Sequence, residues 1–227
     1  MTTPNDLLNE LRRLLRAGAI SYTSASAASD TYEGFLFSLV VATARDCNAS
    51  VHFEDVHGDR VNDLTFRTSP GRLYSTAQDY THAVIQFGPR APLLEAHIGV
   101  MVQGNSGVRH ECDVLVLDSD EARTCRQIGA SPRSRKCILA IECKYYLATL
   151  PLGVARGFSG LKNDLGQTRV IFSANTTSDK VKKYLAHHRL TQELQAVPGS
   201  AEIIHLRSHI REAFKAHVSR HDPSFAM

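Results

Sequence analysis

An α/β fold, with a mixed β-sheet flanked by helices, is the architecture this sequence predicts. Three observations lead to it: two N-terminal segments with helical period, a central run of short apolar segments separated by turn signals, and a downstream alternation of helix with strand. Leu7, Leu8, Leu11, Leu14 and Leu15 recur at helical spacing, so residues 4–17 are expected to form an amphipathic helix. The small-residue stretch "SYTSASAASD" reads as a loop, with Asp30 placed to cap a second helix over residues 31–47. Strands are expected at 50–56, 64–67 and 82–87, then at 95–103 ("EAHIGVMVQ") and, after the turn "GNSG", at 109–118 ("RHECDVLVLD"). The polar, basic "SDEARTCRQIGASPRSRK" reads as an exposed loop, and "CILAIECK" (137–144) as the next strand.

Pro151 suits the first turn of a following helix, in which Gly153, Gly157 and Gly160 suggest a face that approaches other backbone closely. Residues 168–174 read as a strand, Ser178 as the cap of a basic helix to about 189, 202–206 ("EIIHL") as a strand and 207–219 as a last helix. The sequence has no internal repeat and no low-complexity tract.

A chain of 227 residues can bury a core large enough for one sizeable domain. Its 43% hydrophobic and 22% charged residues are ordinary for a globular protein, which argues against a disordered or fibrous chain. The net charge of +3 is compatible with nucleic acid without requiring it. Five cysteines form an odd set with no CxxC pair, and three lie in apolar runs, which fits reduced thiols and a cytoplasmic location. The N-terminus lacks the unbroken apolar segment of a signal peptide and no later run has the length of a membrane span, so no membrane partner is expected.

Along residues 137–144 the side chains alternate, placing Ile138, Ala140, Glu142 and Lys144 on one face and Leu139, Ile141 and Cys143 on the other. The strand is apolar on both sides until a carboxylate and an ammonium emerge at its end. Asp113 stands in a similar setting, with Leu115 and Leu117 on its own face. Burying such charges costs several kcal/mol unless something compensates, and a divalent cation does so efficiently. Two carboxylates from neighbouring strands make a hard oxygen site suited to Mg²⁺, beside which Lys144 would orient a water and stabilise charge on a phosphate. In the helix before, Glu33 shares a stripe with Phe37, Val40 and Ala44 that points at the core.

These residues, "ECDVLVLD" around Asp113, "IECK" with Glu142-Cys143-Lys144, and the upstream helix with Glu33, resemble the PD-(D/E)XK nuclease superfamily. The resemblance covers about residues 31–175 and implies a restriction-endonuclease-like core, with the N-terminal helix and residues 176–227 as additions within one domain. It implies that Asp113 and Glu142 ligate metal, that the carbonyl of Cys143 joins them, that Lys144 is the catalytic lysine, and that Glu33 completes a second metal position or holds a water. Cys112 stands where the name-giving Pro would be. The implied cofactor is Mg²⁺, with Mn²⁺ as a substitute.

Glu111 and Glu95 are read as solvated strand residues rather than ligands. Arg133, Arg135 and Lys136 in the loop between the two acidic strands, with Arg156 and Lys162 downstream, are candidate phosphate contacts for a nucleic-acid partner, as a basic bias beside such a centre would steer a polyanion. His205, His209 and His217 lack Cys partners and zinc-type spacing, and read as surface residues. "GNSG" lacks the GK[ST] of a phosphate loop, and no Ser-His-Asp set has a recognisable context. The expectation is an Mg²⁺-dependent DNA endonuclease, by analogy one serving restriction or anti-phage defence as a homo-oligomer that meets its partner through the N-terminal or Gly-rich helix. An RNA-processing nuclease and a non-catalytic nucleic-acid or nucleotide-binding module stay open.

Overall fold

The computed structural model of the chain describes residues 3–227. Its helices are α1 (Pro4–Leu15), α2 (Ala28–Asp46), α3 (Ser119–Ile128), α4 (Leu152–Leu165), α5 (Asp179–His187) and α6 (Ala201–His221). Its strands are β1 (Ile20–Tyr22), β2 (Ser50–Glu54), β3 (Arg60–Val61), β4 (Leu64–Phe66), β5 (His82–Gln86), β6 (Leu94–Gln103), β7 (Arg109–Asp118), β8 (Cys137–Lys144), β9 (Arg169–Ala174) and β10 (Gln192–Leu194).

α1 opens with a reciprocal cap: the Thr3 hydroxyl accepts the Asp6 N–H, and the Asp6 carboxylate accepts the Thr3 N–H at 2.8 Å. Its apolar stripe of Leu7, Leu11, Leu14 and Leu15 is buried within the chain. α2 begins three residues earlier than expected. Asp30 is not its cap but lies in its first turn, where the carboxylate accepts the Ala27 N–H at 2.6 Å. Either position satisfies an orphan amide of a helix start, so the residue type alone does not fix which one it takes. α2 is buried on nearly every side, from Tyr32 and Phe35 through Val41 to Ala44, as befits a central helix. Gly34 lets α1 approach, since a Cβ there would come within 2.7 Å of Leu11 Cδ1.

An eight-stranded sheet has the order β10-β9-β8-β7-β6-β5-β2-β3, and β1 pairs separately with β4. Neighbours from β3 to β8 are antiparallel, whereas β8–β9 and β9–β10 are parallel, which makes the sheet mixed. One face packs on α1, α2 and α6, and the other on α3, α4 and α5. Among the described residues no helix is long and apolar enough to cross a membrane. All five cysteines are buried and free.

Two expected elements are different. Residues 119–128 form a helix, not an exposed loop: the Asp118 carboxylate caps it by accepting the Asp120 and Glu121 N–H groups at 2.9 and 3.1 Å, and Ala122 and Cys125 enter the core. Residues 202–206 are the start of α6, not a strand. Leu206, Ile210, Ala213, Phe214, His217 and Val218 are buried at helical spacing, and this longer period outweighs the local β-preference of the adjacent Ile203 and Ile204. β1, β3 and β10 are additional strands of two or three residues, too short for a sequence period to mark them. The glycines of α4 do not meet other backbone: a Cβ at Gly153, Gly157 or Gly160 would touch nothing within 4 Å.

Candidate active site

β7 and β8 pair from Leu117 opposite Cys137 as far as Val114 opposite Ile141, and there the ladder stops. β8 continues alone with β9, reaching Lys144 opposite Ala174. The two strands therefore part, with Asp113 on one lip and Glu142, Cys143 and Lys144 on the other. Asp113 Oδ2 accepts the Cys143 N–H at 2.7 Å, taking the place of a carbonyl in the interrupted ladder.

A backbone irregularity turns Asp113 into this split. Ile98 and Val114, a facing pair, belong to the core under α2, while the next facing pair, Val100 and Cys112, belongs to the core under α4. Residues two apart in a regular strand share a face, so the alternation inverts between the pairs, at Gly99 and Asp113. Gly99 has φ 61°, a left-handed conformation that glycine adopts without strain, and its carbonyl accepts the Gly71 N–H at 2.8 Å. The regular face expected for Asp113, Leu115 and Leu117 does not extend to Asp113.

Glu142 and Lys144 share the face that alternation assigns them. Lys144 Nζ lies 2.6 Å from Glu142 Oε1 and 3.5 Å from Asp113 Oδ2, so the three residues form one contact cluster. Asp113 is 6% exposed. Burial raises its pKa above the ordinary range, against the pull of Lys144 and the Cys143 N–H. Burial and then the Asp113 charge raise Glu142. Glu33 reaches the same field from α2: burial and then Asp113 push its carboxyl up to about 9. Glu111, expected to be solvated, is half-buried and is pushed up to about 7 by burial and then Asp113. Burial opposes the Lys144 ammonium, but Asp113 and Glu142 overcome this and raise its pKa. Burial also holds the Cys143 thiol far above its usual range, leaving its backbone, not its sulfur, as the group it offers. Asp113 and Glu142 contact Lys144, and Glu33 and Glu111 feel the charge of Asp113. These oxygen donors are of the type a hard divalent cation takes, although no three of them bring ligand atoms within 4.8 Å of one another.

The candidate phosphate contacts divide. Arg133, Arg135 and Lys136 precede β8, so about 20 Å of strand separates Lys136 from Glu142. Arg133 is paired with Glu121 of α3 at 2.6 Å. Lys162 donates to the carbonyls of Gly166 and Thr168 at 2.7 and 3.2 Å, closing the end of α4 near that same remote edge. Arg156 is exposed near the start of α4, which follows the carboxyl end of β8. At this end Tyr145, Tyr146, Leu147, Asn175 and Gln195 line a cleft of about 580 Å³. Asn175 pins its wall by accepting the Tyr146 N–H at 2.8 Å and donating to the Tyr146 carbonyl at 3.0 Å. Ligands of open α/β sheets bind at such carboxyl ends.

A second buried polar cluster lies outside the expected site. Glu95 is 3% exposed and held by Arg126 of α3 at 3.0 and 2.5 Å, with His97 at 2.9 Å and His82 at 3.5 Å. Glu95 is thus neither solvated nor part of the Asp113 centre, since it faces Leu117, four residues along β7. The available signal was "EAH", which puts Glu95 and His97 on one strand face. Of the late histidines, His205 and His209 face Glu193, whereas His217 is buried, its ring nitrogen 3.1 Å from the Pro92 carbonyl.

Compared with protein-family models, with curated proteins and with solved structures, the chain finds no match, so the functional reading rests on its own residues.

Proposed function

We propose that this protein is an Mg²⁺-dependent nuclease of the PD-(D/E)XK kind, with a restriction-endonuclease-like core and a cutting centre formed by Asp113, Glu142 and Lys144. The observation that carries the reading is the parting of β7 and β8 at these residues, which directs two carboxylates and an ammonium into one split. Asp113, Glu142 and the Cys143 carbonyl would hold Mg²⁺ or Mn²⁺, and Glu33 would serve a second position. A bound cation supplies Lewis acidity toward the phosphate and lowers the pKa of a coordinated water.

The protein groups have distinct tasks. The Cys143 N–H fixes Asp113 so that its other oxygen is free to ligate. In the metal-free state Lys144 is the counter-ion of both carboxylates. With both carboxylates engaged by a cation, the Lys144 ammonium would be free to orient a water or to meet the developing charge on a phosphate oxygen. Arg156 and the tyrosines at the carboxyl end of β8 would receive the strand, the rings by stacking on bases. DNA is the substrate class favoured by the resemblance.

The test is incubation of the purified chain with double-stranded DNA, single-stranded DNA and RNA in Mg²⁺, Mn²⁺ or Ca²⁺. Cleavage is expected in the first two ions and not in Ca²⁺. Asp113→Asn and Glu142→Gln should abolish cleavage, and Lys144→Ala should slow it by about 100-fold or more. Cleavage by Asp113→Asn and Glu142→Gln at the parental rate would remove the proposal, and divalent-independent binding without product would indicate a binding module.

A further inference from the structure

We infer that His82, Glu95 and His97 form a structural site for a divalent transition-metal ion of the zinc type, separate from the Asp113 centre. The three residues come from the adjacent strands β5 and β6, and each is at most 3% exposed. One ligand atom from each lies within 4.8 Å of the others. His97 Nε2 is 2.9 Å and His82 Nε2 3.5 Å from the same oxygen, Oε2 of Glu95. Tetrahedral zinc bonds of about 2.0–2.2 Å place neighbouring ligand atoms about 3.3 Å apart, so small side-chain shifts suffice to enclose an ion.

The independent observation is what these rings lack. Both nitrogens of His82 and Nδ1 of His97 are buried without a hydrogen-bond partner. Unpaired polar atoms in a sheet interior are costly, and structures rarely keep several together. The rings stack with centroids 4.7 Å apart and planes 13° from parallel, an arrangement in which a second proton on either would repel its neighbour. A buried ion pair between Glu95 and Arg126 accounts for Glu95 and Arg126, but it leaves His82 unexplained. An ion at Glu95 Oε2 would give His82 Nε2 the partner it lacks, with His97 Nε2 as a second ligand already 2.9 Å from the same oxygen.

The surroundings supply the outer parts of a metal site. Ser119 Oγ donates to Glu95 Oε1 at 2.9 Å, and Arg126 donates to both carboxylate oxygens, which fixes the orientation of the ligating group. Glu54 Oε2, 3.8 Å from His82 Nε2, is placed to complete the coordination or to bind its water, and it offsets the charge of Arg126. Two imidazoles with carboxylate suit zinc-type ions better than Mg²⁺. With α3 closed over it, the ion would enter during folding and tie β5, β6 and α3 together.

The inference does not depend on the nuclease reading and is tested apart from it. The full chain is produced in Zn²⁺-supplemented medium, its metal content measured by mass spectrometry after gel filtration, and the ion replaced by Co²⁺ for visible absorption. The Asp113→Asn, Glu142→Gln double variant should carry one ion per chain and give Co²⁺ bands of low coordination number, and the parent should carry at least that one. His82→Ala and His97→Ala should lose the ion and melt at lower temperature. X-ray absorption on the folded Asp113→Asn, Glu142→Gln variant, showing two imidazole ligands, keeps the test decisive if the histidine variants fail to fold. Parent protein that is folded and takes up neither Zn²⁺ nor Co²⁺, or an ion lost with Asp113 and Glu142 but kept without His82, would overturn the inference.

Discussion

The electrostatics of the candidate centre make the metal-free protein lose stability as pH rises, and Glu33 isolates the effect. Its carboxyl is held at about 9 by burial and by Asp113, against 4.5 for the free side chain. Between these values the unfolded chain has ionised Glu33 while the folded one keeps the proton. The native state therefore binds more protons, and stability falls with pH by about 1.4 kcal/mol per unit for this one group. From pH 6 to pH 8, both inside the window, the loss attributable to Glu33 is about 3 kcal/mol. Below the ordinary carboxylate range the slope vanishes, because both states are protonated, and the stability is fully retained. Asp30, Asp113 and Glu111 act in the same direction on Glu33, and Lys144 opposes them. Glu33→Gln mimics the protonated form and should remove this share of the slope, leaving the shares of Glu111, pushed up to about 7, and of Asp113 and Glu142, which burial also raises. Urea denaturation in EDTA at pH 6, 7 and 8 measures it, with the parent-minus-variant difference as the readout. Repeating the series in Mg²⁺ should reduce the parent's slope, since a cation stabilises the ionised carboxylates. Equal slopes for parent and Glu33→Gln would refute the placement of Glu33 in the field of Asp113.

Arg126→Ala, which strands the buried Glu95 carboxylate, should cost about 3–5 kcal/mol in urea denaturation, whereas an Arg126→Met, Glu95→Gln pair should cost much less. Tyr32→Phe removes the hydroxyl that donates to the Ala196 carbonyl at 3.1 Å and meets Ser173 Oγ at 3.0 Å, and should lower stability by about 1 kcal/mol in the same assay. Gly99→Ala forces a Cβ into a left-handed conformation at φ 61° and should cost about 1–2 kcal/mol. Because Gly99 lies where Asp113 turns into the split, calorimetric titration of Gly99→Ala should also show weaker Mn²⁺ binding than the parent.

What the sequence revealed and what it hid follow from the range of the forces involved. The α/β class, α1, α2 and the long strands were legible from local signals: leucines at helical spacing in α1, a long apolar run in α2, and short apolar runs bounded by turn or charged residues in β6, β7 and β8. α3 was hidden because its buried edge offers only Ala122 and Cys125 as apolar residues, and its cap, Asp118, doubles as the last residue of β7. α6 was cut in two because Ile203 and Ile204 imitate a strand locally, while the stripe that buries the helix is evident only when followed to Val218. The candidate centre divides the same way. Glu142 and Lys144 follow from alternation on one strand, but Asp113 meets them through the reversal at Gly99 and Asp113 and through the interruption of the β7–β8 ladder. Glu111 and Glu33 join their field from different elements, and no periodicity encodes that. The His82–Glu95–His97 cluster was the least legible of all, since it needs the β5–β6 register to bring His82 beside two residues of "EAH". A split opened by a flipped strand and a buried cluster closed by register are both products of pairing. Residue choice marks where chemistry can occur, and strand pairing decides which of those groups meet.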